Sequence, residues 1–438
     1  MANLTAPWRS KPTTARSTGI LSLLGTRRFL PLCVAQGCGA LNDNLVRNAL
    51  VVLALFKAGA AGPILVALAA GLFVFPYVLF SATAGQLADS NDKSRLIRLL
   101  KWAELVLMGV AALGFLLDSV PILLLVLVAL GVQASFFGPL KYGILPDHLR
   151  PNELLAGNGL IEATTFLAIL TGTMAGGWLV LNRNGAAIIS SVGLGVAALG
   201  LLAALPIPLA PPRGVIRAVD WRILRATNAV VRQALENRAV WPPILGISWF
   251  WTLGATLIAQ FPVVAKVTLG AEGEVVSLFL TMFSLGIGAG SLLCVALLRN
   301  RASPRLAVVA LLGISLFTWD FAATCSNAQG LVSVSAVVAS PTGWRILLDL
   351  VLLSACGGFF SVPLYAEIQR RARPDWRART VAANNVLNAA FMVAGAVVAA
   401  ALAAAGVAAP HILMLTALIN LPAAFAAWLW LRPVPEID

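Results

Sequence analysis

FFGPLKY at 136–142 and FFSVPLY at 359–365 are two copies of one pattern, 223 residues apart. A second pair, AGNGLIEATTF at 156–166 and AANNVLNAAFM at 382–392, keeps nearly the same distance, 226 residues. A constant offset of about half the chain points to an internal duplication, and the surrounding composition says what was duplicated. The chain is 59 % hydrophobic and 11 % charged, where a soluble domain carries roughly 25 % charged residues. Its apolar residues fall in runs of about 20, the length of helix that crosses ~30 Å of hydrocarbon. Twelve such runs are read, over 29–56, 62–86, 95–117, 121–145, 153–181, 185–209, 242–268, 273–297, 304–324, 344–368, 378–404 and 409–432. The first repeat pair ends the fourth and tenth runs, and the second opens the fifth and eleventh.

The expected architecture is therefore an all-α membrane protein with twelve transmembrane helices in two six-helix pseudo-repeats. A disordered basic tail (1–28) precedes an N-terminal bundle (29–209), a linker (210–240), a C-terminal bundle (241–432) and a short tail (433–438). The stretch 325–343 reads as a long loop with room for a short helix. Orientation follows from lysine and arginine in the short loops. With the N-terminus inside, inside segments collect 26 of the 31 basic residues and outside loops only Lys57, Arg183, Lys266 and Arg345. Both termini are expected in the cytoplasm. The net charge of +13 is thus an orientation signal, and no nucleic-acid partner is implied. Within the linker, WRILRATNAVVRQALEN (221–237) reads as an amphipathic helix on the anionic inner membrane surface, or as a simple solvated linker. The five cysteines and two histidines show no metal, disulfide or nucleophile–base spacing. No catalytic residue, metal or cofactor is expected.

Parallel repeats of six helices with inside termini resemble the major facilitator fold, which holds substrate near the midplane between its halves. The loop GQLADSNDKSRLI (85–97) supports this. Gly85 allows close helix approach, and Asp89 can sit against a helix N-terminus or a basic residue in one conformation only. Lys93 and Arg95 supply charge at the inner surface. These four are the expected conformational switch, with Asp92 standing where such loops often have glycine.

The first run carries GALNDNLVRN (39–48) at its middle. Asp43 lies 14 residues beyond Phe29, about 21 Å along a helix at ~1.5 Å per residue. An ionisable group at that depth costs ~2.5–3.5 kcal/mol and must face protein or water. Asp43 and Arg47 are four apart and share a face, Asn44 and Asn48 form a neighbouring stripe, and Asn42 points elsewhere. Either Asp43 and Arg47 neutralise each other as helix glue, or they wall a transport cavity. Glu104 and Glu162 sit inside the third and fifth helices. Lys141 is at a depth where it meets Glu162, as an inner gate or a structural salt bridge, with Tyr142 and Asn158 beside it. Asn384, Asn385 and Asn388 are the second half's counterparts. Gln260 and Glu367 are weaker candidates, Glu367 as a residue snorkelling to the surface. Asp320 and Asp349 read as solvated groups near the outer face.

GALNDN, GQLADS, GPLKYGILPD, NGLIEATT and GGFFSVPL together resemble the bacterial lysophospholipid transporter family of the major facilitator superfamily, over nearly all of 29–432. The resemblance implies flipping of lysophosphatidylethanolamine and lysophosphatidylglycerol from the outer to the inner leaflet of the bacterial inner membrane, with lateral lipid entry and re-acylation inside. It maps the family's polar helix 1 motif onto Asp43 and its helix 4 lysine onto Lys141. Some relatives are fused to, or work beside, an acyltransferase–acyl-carrier-protein synthetase. The sequence ends at Asp438, so that domain is expected as a separate partner, and the transporter as a monomer among membrane lipids. The seventh helix, TLGATLIAQFP (252–262), lacks a charge where some relatives carry a basic residue. Arg47 or Lys141 would then grip the phosphate, or the selectivity differs. A proton-coupled exporter of drugs or other amphiphiles, and a non-transporting scaffold for an acyltransferase, are the competing readings.

Overall fold

The computed structural model describes residues 20–57, 62–213, 216–298 and 304–430. Among them the regular structure is helical throughout. In lipid each backbone N–H and C=O must be satisfied within its own segment, which leaves the helix as the way to span for a chain of apolar runs. Twelve long helices follow in order: α1 (Leu30–Lys57), α2 (Gly62–Ser90), α3 (Lys93–Leu116), α4 (Val120–Gly143), α5 (Leu154–Leu179), α6 (Gly185–Ala204), α7 (Trp241–Val263), α8 (Gly273–Leu298), α9 (Pro304–Asn327), α10 (Pro341–Arg371), α11 (Arg377–Ala404) and α12 (Ala409–Trp430). Eleven of these are apolar and long enough to cross a membrane. The other, α1, is 28 residues long, and its polar middle dilutes it. The protein is a multi-pass membrane protein.

Several boundaries differ from the sequence reading. α6 stops at Ala204 rather than near 209, because Pro206 and Pro208 follow and a proline neither donates to the helix ladder nor tolerates a helical residue before it. The loop 325–343 holds the short helix Val334–Ala339. The expected tail 1–28 falls partly outside the described residues, as does the whole of 433–438. Its last part is ordered: Ile20–Gly25 form a 3-10 turn, and the Arg28 fork binds Glu153 at 2.6 and 2.7 Å.

Within the first half α1 packs on α5 and α6, and α2 on α4; within the second, α8 and α9 pack on α10, and α7 on α11. The halves meet through α2 with α11 and α5 with α8, pairs that exchange under a six-helix repeat. The tightest glycine approaches between the halves lie at one end, where α2, α4, α8 and α10 finish and α5 and α11 begin. This is the end that carries the basic loops. A Cβ on Gly85 would lie 2.7 Å from Ala382 Cβ and 2.9 Å from the Ala378 carbonyl. One on Gly159 would lie 2.7 Å from Val295. Glycine lets the two backbones close on each other there, the use lipid-embedded helices make of small residues.

The linker helix, Ile223–Glu236, buries Ala226, Val230 and Ala234 against α2 and α11. The amphipathic helix is thus formed, and it docks across the two halves rather than being a simple solvated linker. Trp221 and Leu224 face outward, 69 % and 76 % exposed.

Gly85→Val should force α2 and α11 apart. Overpacking of this kind costs about 1–3 kcal/mol, read as a lower thermal unfolding midpoint of the detergent-purified protein. Gly109→Ala, which has nothing within 4 Å of the added carbon, should not lower the midpoint, because alanine suits a helix interior better than glycine.

Candidate functional site

The α1 stripe points two ways. Asp43, Arg47 and Asn48 keep part of their surface open although they sit at mid-helix. Arg47 donates to the Asn44 side-chain oxygen and lies 5.7 Å from the Phe73 ring centre. Asn48 donates to the Asn44 carbonyl at 2.9 Å and to Thr173 at 3.2 Å. Asp43 and Arg47 feel each other's charge, but no direct ion pair joins them among the described residues. The Asn44 amide oxygen and a ring therefore hold the guanidinium in place, and its remaining donors have no acceptor among the described residues. That geometry suits capture of an anion.

Asn42 faces the interior of the first half and donates to Glu104 at 3.2 Å. Glu104 also accepts from Lys101 at 2.7 Å and Gln133 at 3.4 Å. Lys101 and Glu104 are each 1 % exposed, and Lys101 lies 5.0 Å from the Phe137 ring centre. Glu104, a candidate path residue, is thus engaged inside the half, and Lys101, which sequence reasoning did not single out, is its buried partner. The spacing of three between them was the available signal.

Lys141 is part-open, with its ammonium 4.9 Å from the Tyr142 ring centre. It lies within electrostatic reach of Glu162 and Asp43. The expected direct Lys141–Glu162 pair is not formed. Glu162 instead accepts long contacts of 3.4 Å from the Tyr142 hydroxyl and from Ser361 of the other half.

Beneath these charges the halves close on an uncharged seal. Tyr142 and Tyr365, mates in the sequence repeat, stack with centres 4.3 Å apart and planes within 7°. Trp251 donates to the Tyr365 hydroxyl at 3.0 Å. Asn158 and Gln369 exchange amide hydrogen bonds of 2.7 and 3.0 Å across the interface, and Gln369 also donates to the Tyr142 carbonyl at 3.2 Å. Asn385 fills the space left by Gly138, where a Cβ would meet its amide nitrogen at 2.5 Å. Asn384 is fully buried beside Tyr365, and Asn388 accepts from Ser248 at 2.9 Å. The structure thus gathers Tyr142, Asn158, Asn384 and Asn385 at the closed end. Gln260 is buried on α7, and no side-chain hydrogen bond links it to the others. Gln369 and Trp251 were missed by sequence reasoning; Ser361 and Tyr365 stood in the repeat itself.

At the basic surface Asp89 accepts the backbone N–H groups of Ala378 at 2.9 Å and Arg379 at 3.1 Å. These are free donors of the first turn of α11, and the Arg379 guanidinium stands 3.8 Å away. Lys93, expected at the surface, is buried and paired with Asp147 at 3.0 Å; Arg95 is exposed. Asp92 caps α3 from extended backbone, so no glycine is needed. Burial raises the Asp92 carboxyl, but hydrogen bonds from Ser94 and from the N–H groups of Arg95 and Ala210 outweigh it and hold the group below its usual range. Toward the opposite end, Arg345 holds Asp320 at 2.9 and 2.5 Å, and Asp349 is only 4 % exposed. Neither is simply solvated, as the sequence had suggested. Glu367 pairs with Arg371 at 2.6 Å rather than snorkelling alone.

Removing one amide of a buried reciprocal pair strands the other at a cost of about 1–3 kcal/mol. Asn158→Ala and Gln369→Ala should each lower the unfolding midpoint, and the double variant should lose clearly less than the two losses added. Additive losses would mean that the pair does not couple the halves.

The major facilitator superfamily model matches residues 32–389. The lysophospholipid transporter LplT of Cronobacter sakazakii is 30 % identical over 374 residues, 83 % of this chain and 84 % of the relative. Among solved structures, the human organic anion transporter MFSD10 superposes with a TM-score of 0.74 at 15 % identity, over 92 % of this chain and 99 % of its own. A bacterial homologue of the iron transporter ferroportin, in an outward-facing state, gives 0.67 at 15 % identity, over 94 % and 100 %. These two share the fold alone. The chain belongs to the lysophospholipid transporter family of the major facilitator superfamily.

Proposed function

We propose that this chain is a lysophospholipid transporter of the bacterial inner membrane, with both termini cytoplasmic, that moves its lipid from the outer to the inner leaflet. The carrying observation is Arg47, a part-open guanidinium at mid-helix without a carboxylate bound to it. The seal and the Asp89 contact close the basic end, while Asp43, Arg47 and Lys141 keep open surface above them. On this reading the structure is outward-facing. The lipid phosphate goes to Arg47 and Lys141, and an ethanolamine amine to Asp43. The acyl chain stays in the lateral openings beside α2 and α11 or α5 and α8. Inward opening requires the tyrosine stack, the amide pair and the Asp89 contact to break together. That parting also frees Glu162 from Ser361 and lets the headgroup move down the same wall. Re-acylation by a separate acyltransferase–acyl-carrier-protein synthetase would follow inside. No chemical step is assigned to the transporter.

The test is inward movement of fluorescent lysophosphatidylethanolamine in proteoliposomes, with and without a pH gradient. A charge-assisted hydrogen bond is worth about 1.5–3 kcal/mol, so Asp43→Asn and Arg47→Gln should each slow flipping about tenfold or more. Arg183→Gln, on an exposed loop, should not. Flipping that collapses without the gradient would favour the proton-coupled exporter, and no flipping under any gradient would favour the scaffold.

A further inference from the structure

The linker helix leaves a gap against α11. Gln233 and Ala234 on one side, and Arg373, Trp376, Arg379 and Thr380 on the other, line a small cleft open to solvent. The cleft lies outside the α1 path, on the basic surface. Its walls are short of acceptors. Arg379 is 4 % exposed, with its guanidinium 4.7 Å from the Trp376 ring centre and its nearest carboxylate, Asp89, at 3.8 Å, beyond hydrogen-bond reach. Arg217 approaches the same ring at 5.2 Å. Among the described residues the Trp376 indole N–H in the cleft wall is buried without an acceptor, as are two nitrogens of the adjacent Arg377, which does not itself line the cleft. Arg373 is forked on Asp375 at 3.2 and 3.1 Å and mostly exposed. Among the described residues the carboxylates near Arg217, Arg373, Arg377 and Arg379 are Asp89, Asp147 and Asp375, of which Asp375 is shared with Arg217 at 3.8 Å and Asp147 already holds Arg213 and Lys93. Buried donors without partners are costly.

We propose that this cleft binds a phosphate-bearing anion, supplied either as a soluble phosphomonoester or as the headgroup of an anionic phospholipid. A phosphate presents several strong acceptor oxygens at fixed angles, which the arginine forks match in pairs. Arg373 and Arg379 take the charge from the α11 side, and the Gln233 amide takes an oxygen from the linker side. The bound anion ties the linker helix to the start of α11. Because the linker helix also rests on α2, the anion favours the state in which the basic end is closed.

The experiment uses the full-length protein. Binding of inorganic phosphate is titrated calorimetrically in neutral detergent. Binding of phosphatidic acid is titrated in phosphatidylcholine nanodiscs containing increasing amounts of that lipid. Saturable binding of inorganic phosphate supports the soluble source, and binding of phosphatidic acid alone supports the lipid source. In either case Arg373→Gln should weaken binding about tenfold or more, as loss of a charge-assisted contact does. Gln233→Ala should weaken it without any change of charge. Arg225→Gln, on the exposed side of the same helix, should leave it unchanged. Absence of saturable binding with either probe overturns the proposal. So does an equal loss in Arg225→Gln, which would reduce the effect to general surface charge.

Discussion

Asp89 reaches from the end of α2 to the first free N–H groups of α11, and the closed end of the molecule is arranged around that contact. Two backbone donors and a nearby guanidinium surround one carboxylate. The contact requires α2 and α11 to touch, which requires Gly85. It also fixes the start of α11, which sets Asn384 and Asn385 at the depth of Tyr142 and Gly138. The amide pair and the tyrosine stack lie at the same end, joined by the bond from Gln369 to the Tyr142 carbonyl. None of these is strong alone, and several share the same rigid helices. On the proposed transport cycle they form and break as a set, which a two-state element needs.

Much of this was legible beforehand. Apolar runs of membrane length gave the helices, and the offset between FFGPLKY and FFSVPLY gave their grouping. The chemistry of Asp89 could be anticipated, because a carboxylate beside a loop glycine seeks a helix N-terminus. Partners across the halves could not. Gln369 looked like one polar residue among the charges that end α10, and its bond to Asn158 spans 211 positions. Depth along a helix suggested Lys141 against Glu162. It carries no information about azimuth, and the ring of Tyr142 and the hydroxyl of Ser361 took those places. Lys101 drew no notice for a related reason: a lysine near a membrane boundary carries no mark in the sequence of whether it faces the loop or turns inward to meet Glu104.

The two halves repeat in backbone but not in charge. Lys141 corresponds to Leu364 and Glu162 to Asn388. The part-open ions of the proposed path therefore stand on the first half alone, while the second offers amides, hydroxyls and aromatic rings. A headgroup moving between them stays against one charged wall, and the opposite wall can rock past it without pulling an ion through hydrocarbon, the costly event in such a medium.

Tyr142 and Tyr365 meet as repeat mates, which places their contact on the pseudo-two-fold axis. On a true axis a side chain faces its own copy, so the position admits only residues compatible with themselves. Planar rings satisfy this by stacking, whereas a lysine or glutamate would repel its image. One residue away, position 141 is free of that restriction once the copies have diverged, and there the chain carries a cation. If the fold arose from two identical six-helix units, the tyrosine stack is a contact that the ancestral dimer could already have made, and the charged wall a later acquisition of one copy.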